Sequence, residues 1–134
     1  MILLDTHVVV WLVKEDRRLG RQAIEAIAAD RDRRVSTMVS WEIAMRVDKG
    51  RIVLELPLDT WLEASFESID ALDVPVTGAM ARDAGSLPGL THGDPCDRLM
   101  IATARALSCP LVTADEKILA YAAAGNLKAI DARR

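Results

Sequence analysis

Residues Thr91 to Ala104 constrain the fold more than any other part of the chain. They read Thr-His-Gly-Asp-Pro-Cys-Asp-Arg-Leu-Met-Ile-Ala-Thr-Ala, a loop that turns into a helix. Asp94 suits the N-cap and Pro95 the first helical turn, and the apolar run beyond them ends near Ser108. Ala102 and Ala104 keep part of this helix slim, so it can pack closely against a sheet. A helix that is apolar almost all round is buried. Asp94 and Asp97, three residues apart, share one end of it and roughly one side. Carboxylates at the mouth of a buried helix are either caps or a site.

Short apolar runs alternate with helical patterns along the chain. Ile2 to Leu4 reads as a central buried strand with Asp5 at its carboxyl end. A helix over Thr6–Val13 follows, despite Val8, Val9 and Val10. A second helix spans Leu19–Asp30, with Ala23, Ile24, Ile27 and Ala28 at helical spacing. Arg31 to Arg34 reads as a polar break before a strand end at Val35-Ser36-Thr37. Ser36 or Thr37 caps a helix carrying Trp41, Ile43 and Val47, which Gly50 ends. Asp59 caps the next helix, running through Trp61 to Ile69. Leu72 to Val76 forms a strand placed at an edge by Pro75. Thr77 caps a helix through Ala84, and Ser86 to Gly93 is rich in turn residues. Pro110 to Thr113 is a strand, Asp115 precedes a helix through Ala122 that Gly125 stops, and Leu127 to Ile130 closes the chain as a weak strand. Strands separated by helices imply right-handed crossovers: an α/β fold with three layers, α/β/α, around a short parallel sheet.

At 134 residues, 51% of them hydrophobic, the expectation is one domain over residues 1–134 with an aliphatic core. The formal charge is −3, from 17 basic and 20 acidic residues. That excludes a protein that coats nucleic acid by charge alone, so any such contact is local or assisted by cations. Cys96 and Cys109 have no ligand-like spacing and read as reduced thiols. No membrane-length apolar stretch and no leader pattern is visible, which points to a soluble cytoplasmic protein.

In a parallel sheet, ligands gather beyond the carboxyl ends of the strands, at the switch in strand order. That rule brings Asp5, Asp94, Asp97 and Asp115 towards one edge. Taken singly, each acid has an ordinary role. Asp94 and Asp115 suit helix starts, Asp97 suits a helix dipole, and Glu42 lies four residues before Arg46. Asp5 is hardest to explain this way, because an unpaired carboxylate after a buried strand is costly. Taken together, clustered carboxylates would repel one another unless a cation joined them. Oxygen ligands without histidine or cysteine point to Mg²⁺ or Mn²⁺, which can activate water and stabilise a phosphoryl leaving oxygen.

Four blocks carry a family resemblance: Leu3-Leu4-Asp5-Thr6-His7, Trp41-Glu42-Ile43-Ala44, Asp94-Pro95-Cys96-Asp97-Arg98-Leu99-Met100-Ile101-Ala102 and Leu111-Val112-Thr113-Ala114-Asp115. In order and spacing the chain resembles PIN-domain ribonucleases, above all the VapC-type toxins of bacterial toxin–antitoxin modules. The resemblance implies that Asp5, Glu42, Asp97 and Asp115 bind Mg²⁺ or Mn²⁺ and position the attacking water. It makes Asp94 an additional acid, either a ligand or only a cap. It makes Thr113 a hydroxyl that bonds a carboxylate, a metal-bound water or substrate. Cys96 departs from the pattern, where an aromatic is common. The resemblance also implies an RNA substrate, a homodimer, and a cognate antitoxin that lays a helix in an apolar groove. Helices containing Val8–Leu12 and Trp41–Val47 are the expected groove walls.

Arg46 and Arg98 are the expected RNA anchors, with Lys49 a lesser one; the alternative is that they are solvated surface charges. His7 is expected to pack within the first helix, and His92 to lie in the loop before the key helix, where it can face substrate. Trp11, Trp41 and Trp61 are expected to pack between helices. Two other functions fit parts of the pattern. A haloacid-dehalogenase-like phosphatase also begins with a strand and an Asp, but His7 stands where its second acid belongs. A non-catalytic module of the same fold would use the acids only as caps.

Overall fold

The computed structural model describes residues 1–90 and 93–134. Among them, the elements run β1 (Ile2–Leu4), α1 (Thr6–Val13), α2 (Arg21–Ala29), β2 (Arg33–Ser36), α3 (Thr37–Asp48), α4 (Leu58–Ser68), β3 (Ala71–Val74), α5 (Gly78–Gly85), α6 (Pro95–Leu107), β4 (Leu111–Thr113), α7 (Glu116–Ala123) and β5 (Ala129–Asp131). All five strands are parallel, in the order β3-β2-β1-β4-β5. Every residue of β1 and β4 is buried. Successive strand residues face opposite sides, so both faces of the sheet are covered. Helix α6 supplies a large part of that cover: Met100, Ile101, Ala102 and Ala104 are all within 2% of full burial.

The expected elements are present, and several boundaries move for identifiable reasons. Helix α2 starts at Arg21 with Gly20 as its N-cap, two residues later than the apolar spacing indicates. The end of the chain lies against that helix start: the Ala23 amide donates to the Arg134 carbonyl and the Gly20 amide to that of Ala132. Strand β2 begins inside the basic run read as a break. Parallel pairing with β1 and β3 recruits Arg33 and Arg34. Arg33 turns its guanidinium onto the carbonyls of Ile27 and Ile69, at the ends of α2 and α4. Pro57, not Asp59, occupies the N-cap of α4, and Asp59 sits within its first turn. Strand β3 is an edge strand, as Pro75 requires, and stops at Val74 because proline cannot donate to the ladder.

No helix among the described residues is long and apolar enough to cross a membrane. Both cysteines are buried and free.

Two glycines make opposite predictions. A Cβ on Gly20 would stand 2.1 Å from the Arg134 backbone, so Gly20→Ala must push the terminal segment off α2. We expect a loss of roughly 1–3 kcal/mol in urea unfolding. Gly85 closes α5 with open space around it, and Gly85→Ala should stabilise by about 0.4–1 kcal/mol in the same measurement.

Candidate active site

Strand order reverses at β1. From it the chain moves out to β2 and β3 on one side, then returns to fill β4 and β5 on the other. The register of β1 on β4 pairs Leu3 with Leu111 and Leu4 with Val112. One residue further, Asp5 and Thr113 lie side by side at the carboxyl ends. The Asp5 amide donates to the Val112 carbonyl at 3.1 Å, which locks this alignment. The acid is thus held by the sheet itself at the switch point.

Asp5 is buried, with 6% exposure. Its Oδ1 accepts from the Thr6 amide at 2.8 Å and caps α1, while its Oδ2 accepts from the Thr113 hydroxyl at 2.6 Å. Burial pushes its pKa up; the bonds from Thr113 and Thr6 oppose that, and the nearby Glu42 charge adds to it. Thr113 also accepts from the Asp115 amide at 3.1 Å, so one buried hydroxyl ties the two strand-end acids together. Asp115 in turn caps α7, its Oδ1 accepting from the Ile118 amide at 2.9 Å.

The other acids arrive on helices. Ser36 caps α3 through the Met38 amide, and α3 carries Glu42 on a half-buried turn. Asp94 caps α6, accepting from the Asp97 amide at 3.1 Å, and Asp97 stands in the first turn of that helix. All of these line one cavity of about 430 Å³, bounded by Asp5, Glu42, Asp94, Asp97, Asp115 and Glu116, with His7, Trp11 and Arg46 on the same walls. Cys96 lies buried beneath the cluster. Burial raises its thiol pKa, and the charges of Glu42, Asp5, Asp97 and Asp94 raise it further. Among the described residues, no three side chains already close into a coordination shell. The donor set is nevertheless oxygen-rich and hard, the chemistry a divalent Mg²⁺ or Mn²⁺ ion requires.

Some expected roles move. Thr113 is fully buried, and its hydroxyl bonds the Asp5 carboxylate and the Asp115 amide. Arg98 does not line the cavity. Its guanidinium donates to the carbonyls of Ala84 and Leu90, tying α6 to α5 and the following turn. Lys49 sits at the exposed end of α3, outside the cavity lining. Arg46 does line it, with Glu42 at a loose 3.9 Å. His7 keeps a ring contact within α1, 6.0 Å from Trp11, and is exposed on the wall of the cavity. Trp11 and Trp61 pack in the core, whereas Trp41 is 55% exposed. Of the expected groove walls on α1 and α3, Val8, Val9, Trp11 and Ile43 are buried, Val10, Leu12 and Val47 are partly buried, and Trp41 is exposed. His92 falls outside the described residues. Glu116 was missed in the sequence because it looks like any acid in a first helical turn.

A family model for the PIN domain matches residues 2–124. This chain belongs to the PIN-domain family. It is 34% identical over 120 residues to Ribonuclease VapC22 of Mycobacterium tuberculosis, a match that covers 90% of this chain and 91% of that protein. The fold matches that of VapBC2 from Rickettsia felis bound to a DNA fragment from its promoter, with a TM-score of 0.70 at 20% identity, over 97% of this chain and 98% of that one. A toxin–antitoxin complex from Klebsiella pneumoniae gives a TM-score of 0.65 at 17% identity, over 98% and 97% of the two chains.

The strained state of Asp5 sets a stability profile. Its raised pKa means that folding favours the protonated acid. In chelator that contribution is complete below about pH 4 and is lost as pH rises through the raised value. Whatever slope the acids with lowered pKa add, wild type should lose melting temperature towards neutral pH relative to Asp5→Asn. Saturating Mn²⁺ should raise the neutral-pH melting temperature of wild type and leave Asp5→Asn unmoved. Scanning fluorimetry between about pH 4 and 8 checks both.

Proposed function

We propose that residues 1–134 form one PIN-like domain that hydrolyses RNA phosphodiesters with Mg²⁺ or Mn²⁺ and serves as the toxin of a type II toxin–antitoxin pair. The observation that carries this reading is the convergence of Asp5, Glu42, Asp97 and Asp115 on one cavity at the switch point of a parallel sheet. Four remote segments supply them, each on a different element. The 34% identity to a ribonuclease across nine-tenths of the chain supports the substrate class.

The proposed ligands are Asp5, Glu42, Asp97 and Asp115, with Asp94 able to join them from the rim. A bound divalent ion supplies charge that activates water and stabilises the leaving oxygen. Asp5 anchors the arrangement, because its two hydrogen bonds fix it before any ligand arrives. Thr113 holds the Asp5 and Asp115 segments at a set separation. Arg46, at the edge of the acid cavity, offers positive charge to the RNA backbone beside the cleaved phosphate, and the cavity carboxylates accept the proton that water gives up during in-line attack. Water adds to phosphorus as the P–O bond to the leaving nucleotide breaks.

A cognate antitoxin is part of the same reading, since the similar fold from Klebsiella pneumoniae was solved in a toxin–antitoxin complex. So are a homodimer and a cytoplasmic location. Light scattering on the purified chain tests the dimer.

The decisive assay is cleavage of single-stranded RNA with Mn²⁺. Wild type should cleave, and Asp5→Asn, Asp97→Asn and Asp115→Asn should each abolish measurable turnover while remaining folded. Thr113→Val, which removes only the hydroxyl, should cost roughly 10–100-fold in activity or metal affinity. Phosphomonoester turnover without RNA cleavage, or cleavage that survives all three acid substitutions, overturns the proposal.

A further inference from the structure

A second cavity, of about 470 Å³, opens beside the acidic one. The two share His7, Trp11 and Arg46 on their walls. Their charges are opposite. The second is lined by Lys14, Arg18, Arg46 and Arg51, against one acid, Asp16. Asp16 is already engaged by Arg18, whose Nη2 stands 2.7 Å from its Oδ2. Arg18 also lies over the Trp11 ring, 5.1 Å from its centroid, and so covers the face a base would stack on. The remaining cations are Lys14, Arg46 and Arg51. Among the described residues, Lys14 and Arg51 make no ion pair and both are exposed.

The wall is also short of hydrogen-bond partners. Among the described residues, the buried side-chain polar atoms without a partner are Thr6 Oγ1 and Arg46 Nε, and both residues line this cavity. Among the described residues, the ion pair of Arg46 is the loose 3.9 Å contact to Glu42. A guanidinium so weakly held can reorient towards an anion at little cost. The backbone holds Arg51 close by: its amide donates to the Arg46 carbonyl at 2.8 Å.

We infer that this second cavity is a phosphate subsite, in which Lys14, Arg46 and Arg51 grip the RNA backbone at a phosphate next to the one cleaved. The inference rests on the ribonuclease reading and adds the path of the strand. The scissile phosphate meets the acids, and its neighbour along the chain meets the cations. The contact is with the backbone and reads no base, because Arg18 occupies the Trp11 face.

The test uses a fluorescent, non-cleavable 2′-O-methyl RNA oligonucleotide in chelator, with anisotropy followed across a KCl series. Lys14→Gln and Arg51→Gln should each weaken binding several-fold and reduce the slope of log affinity against log salt by about 0.7. Both positions are exposed, and unchanged melting temperatures confirm folding. Arg31→Gln, an exposed cation at the opposite end of the sheet, controls for net charge and should bind as wild type. Unchanged slopes in Lys14→Gln and Arg51→Gln overturn the subsite, as does an equal loss in Arg31→Gln. A poly-glutamate peptide that binds as tightly, and is lost in the same variants, overturns the RNA assignment. The Mn²⁺ cleavage assay separates the two readings: cleavage by wild type with unaltered slopes in the variants rejects the subsite alone.

Discussion

One hydrogen bond, from Thr113 to Asp5, joins residues 108 positions apart and holds the candidate site in place. It follows directly from the pairing of β1 with β4, whose register sets the hydroxyl opposite the acid. Shifting that register by one residue would turn Thr113 to the other face of the sheet. The acid would then be buried with only its capping amide. Asp115 follows the partner strand, and Glu42 and Asp97 come in on helices α3 and α6. The fold and the site therefore have the same keystone.

The sequence posed capping and ligation as rivals; the structure shows the capping, and a capped carboxylate still keeps acceptor positions free. Asp5, Asp94 and Asp115 each cap a helix through Oδ1. A carboxylate has two oxygens and about four acceptor positions. Capping uses one of them and fixes the side chain's rotamer, which leaves the group oriented for a cation. The helix ends also add their positive dipole ends to the cavity. That partly offsets the cost of burying the Asp5 carboxylate, to which the Glu42 charge adds a smaller part.

Much of this was readable along the chain. Asp94-Pro95 announced the start of α6, Pro75 announced an edge strand, and the alternation of elements announced a parallel sheet. What misled were features that depend on tertiary partners. Arg33 reads as a strand breaker until the carbonyls of Ile27 and Ile69 are there to receive it. Arg98 reads as a substrate anchor until Ala84 and Leu90 are seen beside it. Which residues of α1 and α3 face the core was not legible either, because an apolar stripe carries no label saying that Trp11 and Ile43 are buried while Trp41 is exposed. The quartet of acids was visible as a pattern; that Thr113 splints two of them was not, since one hydroxyl in a strand looks like any other.

The acid cluster also protects what lies beneath it. Cys96 is packed where four carboxylates bear on its thiol, and together with burial they keep it protonated. Oxidants and electrophiles attack the thiolate, the form this setting suppresses. The core under the candidate site thus holds a thiol that burial first, and the acids above it second, keep away from the reactive thiolate form.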